Sequence, residues 1–280
     1  MTIFRQKDLF PSLIVNKLAS VHIDFEERYR KIKYSDKTVT PMLPASVVVL
    51  LNYKQFGQNN SEYVFQLIKR SDKVSQAGDI SFPGGSLNPV TDRILSNIFT
   101  TGLFPSLYDQ ILSASVHKNK TTVTLIRLFL VNALREAWEE IGLNPFNINF
   151  LGALPCYSLT LFTRTIFPLV CLSIKPFEFK LNQEVEKILE IPVSTFFDVS
   201  RYALLEIEIP PGKRTPACNK KYPCIVLADD QGKEEVLWGA TFNVIMDFFR
   251  IISDDKLPHS SSPDIIKRVL PKNYISGNSR

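Results

Sequence analysis

The apolar positions along the chain follow two periods, and each period predicts a different type of element. Apolar residues recur at helical spacing over residues 15–33, with a break near His22, and again over 241–253. These two segments are predicted to be amphipathic helices. Runs that are β-branched or alternate between apolar and polar residues predict strands at 45–51, 62–68, 148–154, 165–174, 204–209 and 223–227. A further apolar run over 185–191 ends at Pro192.

The strands predicted at 45–51 and 62–68 are expected to pair as a hairpin. The residues between them, 52–61, are polar and include Asn, Gln and Gly, which is typical of a loop. Residues 78–85 then predict a short strand that ends in the turn Pro83-Gly84-Gly85.

A long helix is predicted to end at Ile141, because Gly142 is a natural residue to follow a helix C-terminus. Thr121 or Thr122 could cap its N-terminus, and residues 123–134 contain neither Gly nor Pro. The preceding residues, 86–120, show only patchy helical periodicity. They are expected to form helical or irregular structure outside the sheet, covering the mouth of a site or a neighbouring subunit.

Helices and strands mix without strict alternation, so the pattern predicts an α+β fold with a mixed sheet. The length of 280 residues allows one or two domains. We expect a helical extension at 1–40, a main domain at 41–253 and a loosely held tail at 254–280.

Composition excludes several classes of protein. With 45% hydrophobic and 22% charged residues, the chain is neither disordered, collagen-like nor a small disulfide scaffold. It lacks an apolar run long enough for a membrane helix, so no membrane partner is expected. The net charge of +5 would suit a small anionic molecule, whereas no motif for nucleic acid accompanies it.

The cysteines and the chain ends predict a reduced compartment. Four cysteines are spread along the chain without a CxxC pair, as expected for reduced thiols that pack as small apolar groups. The first residues lack the apolar core of a signal peptide, and the last ones carry neither a peroxisomal nor a prenylation signal. We therefore expect a cytoplasmic protein.

The segment 135–143, Arg-Glu-Ala-Trp-Glu-Glu-Ile-Gly-Leu, is where catalytic chemistry is predicted. On a helix, Glu136, Glu139 and Glu140 occupy positions i, i+3 and i+4 and share one face. Their mutual repulsion would be relieved by a hard divalent cation such as Mg²⁺, which prefers carboxylate oxygens. Arg135 lies four residues before Glu139 and could hold its carboxylate. A solvated acidic helix face would give the same spacing.

Together with Phe82-Pro-Gly-Gly85, this segment resembles the Nudix box, and the resemblance to the Nudix hydrolase family covers about residues 40–250. It implies a Nudix-type α/β/α sandwich with a mixed β-sheet and metal-dependent hydrolysis of a pyrophosphate bond. Flanking segments at 67–71 and 78–85 resemble the coenzyme A diphosphatase subgroup. That subgroup implies coenzyme A or acyl-CoA as substrate and 3′,5′-ADP and (acyl-)phosphopantetheine as products.

The chain departs from the family pattern in three places. Gly85 and Arg135 lie fifty positions apart, so about 36 residues are inserted into the box, approximately at 86–120. The first glutamate of the box is replaced by Thr91, with Asp92 beside it. Val74 and Gln76 stand where the coenzyme A subgroup tends to have Arg and His.

The resemblance also implies roles for individual residues. The metal, Mg²⁺ or Mn²⁺, would be held by Glu136, Glu139, Glu140 and Gly85. Arg135 would support these glutamates, and a glutamate outside the box, Glu184 or Glu186, would act as base or complete the site. The residues implied to bind substrate are Lys69, Arg70 and Gly84.

Other functions fit the same residues. The substrate could be another nucleoside diphosphate derivative, such as ADP-ribose, NADH or a dinucleotide. The chain could also be a Nudix-fold binding module without turnover, or a structural protein built around the insertion. In the leading hypothesis the partner is a small nucleotide, and a homodimer is one possible assembly.

Overall fold

A computed structural model of the chain describes residues 3–34, 42–57, 60–99, 105–115, 117–159, 163–209, 218–228, 232–254, 264–270 and 274. In chain order its helices and strands are α1 (Leu9–Ala19), α2 (Phe25–Lys33), β1 (Leu43–Phe56), β2 (Asn60–Arg70), β3 (Ile80–Ser81), β4 (Gly84–Ser86), α3 (Thr91–Ile98), α4 (Pro105–Ala114), α5 (Lys120–Ile141), β5 (Ile148–Ala153), β6 (Tyr157–Leu159), β7 (Arg164–Ser173), β8 (Val185–Pro192), β9 (Tyr202–Ile209), β10 (Cys218–Ala228), β11 (Glu234–Trp238), α6 (Gly239–Ser253) and β12 (Asp264–Val269).

The larger sheet has eight strands and mixed pairing. Its main order is β3-β2-β1-β7-β5, with β4 beside β1, β6 beside β7 and β8 beside β2. Strands β1 and β7 run parallel, and the other neighbours are antiparallel. The N-terminal half of β1 pairs with β4, and its C-terminal half pairs with β2. This arrangement places the Gly84–Gly85 backbone beside the centre of the sheet.

Helices cover both faces of this sheet, as the alternation of side chains along β1 requires. Val48 and Leu50 pack in one core with α2 and α5, whereas Val49 and Leu51 pack in the opposite core with α1 and α6. The α+β class with a mixed sheet between two helical layers is therefore confirmed. Because α1 shares its core with α6, the described part of the predicted extension, residues 3–34, packs directly against the main domain.

A second sheet of four strands has the order β11-β10-β9-β12. Strand β12 pairs in parallel with β9, so the expectation of a loosely held tail is wrong for residues 264–269. The apolar side chains of Ile265 and Val269 are exposed, and β12 is held by backbone pairing with a sheet edge. Such pairing leaves little trace in the hydrophobic pattern.

Several helices and strands begin or end at other residues than predicted, because neighbouring elements supply packing or hydrogen-bond partners. The break near His22 is confirmed, but α1 begins at Leu9, where Phe10 and Ile14 enter the core. The expected loop 52–61 is mostly strand, because the β1–β2 ladder continues to the pair Phe56 and Asn60. The short strands β6 and β11 were not predicted.

Helix α5 has the predicted extent and C-terminus, but a different residue caps its N-terminus. The Asn119 side chain accepts a hydrogen bond from the Thr122 amide at 2.8 Å, whereas Thr121 or Thr122 had been expected as the cap. Gly142 has a φ of 73°, the left-handed conformation in which a helix commonly ends.

Residues of the predicted insertion form helices outside both sheets, as expected. Helix α3 packs against α5, and α4 packs mainly against β5. That these residues interrupt a family motif stays a prediction, as do the proposed domain boundaries.

Two expectations from composition can be compared with the structure. Within the described ranges, no helix is both long and apolar enough to cross a membrane. Cys156, Cys171 and Cys224 are free thiols, and the last two are buried, as expected for small apolar core groups.

Replacing the cap of α5 should measurably destabilise the fold. We expect Asn119→Ala to lower the free energy of unfolding by about 1 kcal/mol, because the Thr122 amide loses its acceptor. The matched control is Thr121→Ala, at an exposed neighbouring position, with a change below about 0.5 kcal/mol. Urea denaturation measures both, and equal effects would contradict the capping role of Asn119.

Candidate active site

The site is built where α5 approaches β4, and the sequence of β4 allows the close approach. A Cβ atom on Gly84, whose φ is 150°, would lie 2.2 Å from the backbone oxygen of Ser46. A Cβ atom on Gly85 would lie 2.5 Å from the Glu136 carboxylate. Gly84 leaves no room for a Cβ atom against the backbone of β1, and a Cβ atom on Gly85 would displace the Glu136 carboxylate, so these glycines let the backbone of β4 lie against the glutamates of α5.

Polar side chains fix this approach from within the core. The buried amide of Asn132 donates to the Ser86 carbonyl at 3.1 Å, and the Ser46 hydroxyl donates to the Phe129 carbonyl at 2.9 Å. Asn132 thus joins α5 to β4, and Ser46 joins β1 to α5. Neither residue was singled out from the sequence. Asn132 could have been, because it is a polar residue within the apolar stretch before Arg135 and so indicates a buried hydrogen bond.

Glu140 is the most deeply buried glutamate of the group. Its side chain accepts a hydrogen bond from the Gly84 amide at 2.9 Å, and the residue is 4% exposed. Burial raises the pKa of Glu140 to about 8, although the Gly84 amide and the charge of Arg70 act in the opposite direction. The charges of Glu136 and Glu184 raise this pKa further, so both carboxylates lie in the same region. Because the Gly84 amide already has an acceptor, it is not free for the predicted contact with substrate.

Glu136 and Glu139 have a different surrounding, because both contact Arg135. The Arg135 guanidinium donates to Glu136 at 2.8 Å and to Glu139 at 3.0 Å. Burial is the main cause that raises the pKa of Glu136, and Arg135 lowers it. Glu139 is exposed to solvent. The predicted support of these carboxylates by Arg135 is present in the structure as two ion pairs.

Asp92 supplies the deepest anchor of Arg135. The Asp92 side chain is fully buried and accepts from Arg135 Nε at 2.7 Å and from the Asn88 amide at 2.7 Å. A carboxylate is therefore present beside Thr91, one position later than the family pattern. It binds α3 to α5, so a residue of the predicted insertion contacts Arg135 beside the glutamates.

Lys69 and Glu186 form a separate ion-pair cluster. Lys69 Nζ lies 2.9 Å from Glu235 and 3.2 Å from Glu186, and Lys187 Nζ also lies 2.9 Å from Glu235. These residues join β2 and β8 of the large sheet to β11 of the small one. The charge of Lys69 is thus already paired, which speaks against its predicted contact with a phosphate.

Arg70 instead belongs to the region of Glu140, because its charge lowers the pKa of that carboxyl. The pairing of β2 with β8 shifts register between Lys69 and Arg70. Its Nε donates to the Ser75 carbonyl at 2.9 Å. Burial and the nearby charge of Arg70 lower the pKa of Arg164 at the start of β7. Within the described residues, the Arg164 guanidinium has no hydrogen-bond or ion-pair partner, and its sequence context did not mark it. Arg164 therefore lies near Arg70, and the charge of Arg70 acts on the buried Glu140.

The chemistry of the donor set suits Mg²⁺ or Mn²⁺, but its present arrangement is incomplete. Glu136 and Glu140 offer carboxylate oxygens beside the backbone of Gly85, which are the donors such cations prefer. In the part of the chain that the structure describes, however, no group of three or more His, Cys, Asp or Glu side chains is arranged to hold a metal. Glu139 would have to leave Arg135 to become the third ligand.

A separate cavity of about 550 Å³ lies near the N-terminus of α5, between the α1–α2 turn and residues 117–119. It is lined by none of the predicted site residues. The chemistry that the glutamates indicate therefore belongs to the surface beside β4, at the opposite end of α5.

Asp92 and Glu139 allow a matched test of how Arg135 is held. We expect Asp92→Asn to lower the free energy of unfolding by about 3 kcal/mol, because it leaves a partly buried guanidinium without its deepest partner. Glu139→Gln removes an exposed partner of the same arginine and should cost less than about 1 kcal/mol. Chemical denaturation at pH 7 compares them. Equal losses would show that the buried pair is no stronger than the exposed one.

Glu140→Gln should stabilise the metal-free protein at alkaline pH. Burial raises the pKa of Glu140 from 4.5 to about 8, so ionisation of this group weakens folding as the pH rises between those values. Each pKa unit corresponds to about 1.4 kcal/mol, so the variant should gain at most a few kcal/mol at pH 8.5. The gain should vanish near pH 4.5. Chemical denaturation of both proteins in EDTA across this pH range measures the difference in their free energies of unfolding. A difference that does not change with pH would contradict the raised pKa of Glu140.

Comparison with known proteins gives one relative with a clear match in sequence. No family model matches the chain. Over 145 residues it is 38% identical to the uncharacterized Nudix hydrolase NudL of Pectobacterium atrosepticum. The match covers 51% of this chain and 56% of that protein, so the chain spans about half the length of this curated relative.

Solved structures with detectable similarity include two Nudix proteins. The Nudix domain of Shewanella oneidensis NrtR, complexed with ADP ribose, is 13% identical with a TM-score of 0.35, over 59% of this chain and 83% of that one. A Nudix hydrolase from Alicyclobacillus acidocaldarius is 14% identical with a TM-score of 0.36, over 55% and 80% of the two chains. The match to a curated Nudix hydrolase supports for this chain the family that the motif of α5 resembles.

Proposed function

We propose that this protein is a metal-dependent Nudix hydrolase that cleaves the pyrophosphate bond of a nucleoside diphosphate derivative. The observation that carries the proposal is the burial of Glu136 and Glu140 against the Gly84–Gly85 backbone, near Arg70. Burying carboxylates costs free energy, and their pKa values are raised as a result. Clusters of such perturbed groups are enriched at functional sites.

The glutamates of α5 and the backbone of Gly85 would hold the cation, with Glu139 exchanging Arg135 for the metal. When bound, Mg²⁺ or Mn²⁺ would offset the charge of the pyrophosphate and lower the pKa of a water molecule. Arg135 keeps two of the glutamates in place through its pairs with them and with Asp92.

The remaining roles follow from charge and position. Arg70 and Arg164 supply positive charge for phosphate oxygens, since guanidinium groups bind phosphate well. Between the two candidate bases we favour Glu184, whose charge reaches Glu140, because Glu186 is paired with Lys69. Glu184 would accept the proton of the attacking water, while the other phosphoryl group leaves.

For the substrate we favour coenzyme A or an acyl-CoA, giving 3′,5′-ADP and (acyl-)phosphopantetheine. The support is the resemblance of segments 67–71 and 78–85 to the coenzyme A diphosphatase subgroup. ADP-ribose, NADH and dinucleotides are the alternatives, because Val74 and Gln76 depart from that subgroup. The cytoplasmic location and a homodimer stay predictions.

A substrate screen tests the proposal. Coenzyme A, 3′-dephospho-CoA, ADP-ribose, NADH and a dinucleoside polyphosphate would each be incubated with Mg²⁺ or Mn²⁺ and the products read by mass. Hydrolysis in ¹⁸O-labelled water identifies the phosphorus that is attacked. We expect cleavage between the two phosphates and none in EDTA. Binding of these compounds without turnover would favour the binding module instead.

The decisive variant is Glu140→Gln, which keeps the size of the side chain and removes its charge. We expect turnover at saturating Mg²⁺ to fall at least about a hundredfold, corresponding to roughly 3 kcal/mol of lost transition-state stabilisation. Glu178→Gln, at an exposed position, is the control and should retain full turnover. A folded Glu140→Gln protein with nearly wild-type turnover would remove Glu140 from the proposed metal site.

A further inference from the structure

The loop 71–79, between β2 and β3, determines where Arg70 lies. The Arg70 amide donates to the Asp79 carbonyl and the Gly78 amide donates to the Arg70 carbonyl, both at 2.9 Å. Arg70 also donates from its side chain to the Ser75 carbonyl at 2.9 Å. Both the backbone and the side chain of Arg70 are therefore bonded to this loop.

The same loop is tied to Glu184. The Ser71 amide donates to the Glu184 carbonyl at 2.8 Å, and the Ser71 hydroxyl donates to the Gln183 carbonyl at 2.7 Å. A shift of the loop would thus move Arg70 and the backbone of Glu184 together.

Asp79 connects the far end of this loop to elements that are distant in sequence. Its carboxylate accepts hydrogen bonds from the Tyr274 hydroxyl, from Arg268 Nη1 at 3.0 Å and from Trp238 Nε1 at 3.3 Å. Burial raises the pKa of Asp79, and these three donors oppose that shift. The donors come from β11, from β12 and from the segment after β12.

Backbone contacts join the C-terminal residues to the loop as well. The Gln76 amide donates to the Tyr274 carbonyl at 2.7 Å, and Arg268 Nη2 lies 3.5 Å from the Ala77 carbonyl. Strand β12 exposes Ile265 and Val269, while Ile266 and the following Leu270 pack against the core of the small sheet. The contacts that Arg268 and Tyr274 make with residues 76–79 are polar.

We propose that Asp79 is a positioning residue: together with Arg268 and Tyr274 it locks the loop 71–79 and so holds Arg70 where it binds a phosphate of the substrate. The inference rests on the proposed function. It assigns to the C-terminal segment, at 264–274, a part in substrate binding without direct contact to the reacting atoms.

Binding of inorganic pyrophosphate with Mg²⁺, measured by titration calorimetry, tests this inference without requiring turnover. We expect Asp79→Asn to weaken binding about tenfold and Tyr274→Phe, a milder change that removes one hydrogen bond, to weaken it about threefold. Arg268→Met should act like Asp79→Asn, and Arg268→Lys should restore part of the affinity. Lys267→Met, at the exposed neighbouring position of β12, is the control and should bind as the wild type does.

A double-mutant cycle separates positioning from a general loss of structure. If Asp79 acts through Arg70, Asp79→Asn should change the affinity less than twofold in an Arg70→Gln background. In steady-state kinetics, Asp79→Asn should raise KM while its kcat stays within twofold of the wild-type value. Equal effects of Asp79→Asn in both backgrounds would overturn the inference.

Proteolysis shows whether the loop itself is released. Trypsin should cleave after the exposed Lys73 faster in Asp79→Asn and Tyr274→Phe than in wild type, at unchanged global stability. Unchanged cleavage in both variants, or faster cleavage with unchanged pyrophosphate affinity, would refute the positioning role. A wild-type protein that neither binds pyrophosphate nor hydrolyses any tested compound would refute the proposed function itself.

Discussion

The close approach of β4 to α5 is the contact on which the arrangement of the site depends. It requires glycine at position 84, where a Cβ atom would clash with the Ser46 backbone, and a Cβ atom on Gly85 would displace the Glu136 carboxylate. The contact places the Gly84 amide against the Glu140 carboxylate. Asn132 secures the same contact from within the core. The cost of this contact is the burial of carboxylate groups whose pKa values rise, as expected where charge is removed from water without a full set of partners.

The buried glutamates that would hold a metal cost folding free energy while no cation is bound. Arg135 offsets part of the acidic charge and is itself held by the buried Asp92 of α3. Helix α3 belongs to the segment that interrupts the resemblance to the Nudix box, yet it provides a carboxylate for the arginine of that box. Helix α3 is therefore joined to the site through a buried ion pair, which costs more to break than an exposed one.

The small sheet is joined to the large one both by apolar packing, since Ile225, Leu227 and Leu237 lie in the core shared with α1 and α6, and by polar contacts. One polar cluster links β2 and β8 to β11 through the ion pairs of Lys69 and Lys187 with Glu235. In a second cluster the Asp79 carboxylate accepts hydrogen bonds from Trp238, Arg268 and Tyr274. Such contacts depend on direction as well as distance, so they fix the relative position of two elements more narrowly than apolar packing does. Arg70, the last residue of β2, follows Lys69 of the first cluster and is bonded to the loop 71–79, which ends at Asp79.

The sequence by itself determined the elements whose apolar side chains face a core: β1, β2, β7, α5 and α6 were all predicted near their observed positions. It also determined the spacing of Glu136, Glu139 and Glu140, because a helix converts that spacing into a shared face. Only the tertiary structure decided the features that depend on a distant partner. The strand β12 was missed because it pairs with an edge and buries little. The cap of α5 was assigned to Thr121 or Thr122, although asparagine caps a helix at least as well as threonine does. The separation of Lys69 from Arg70 was decided by the pairing of Lys69 with Glu235 of β11 and of Arg70 with the loop 71–79, where the register of β2 and β8 shifts. Local sequence specifies periodicity, but which face of a strand meets which neighbour is set by the packing of the whole chain.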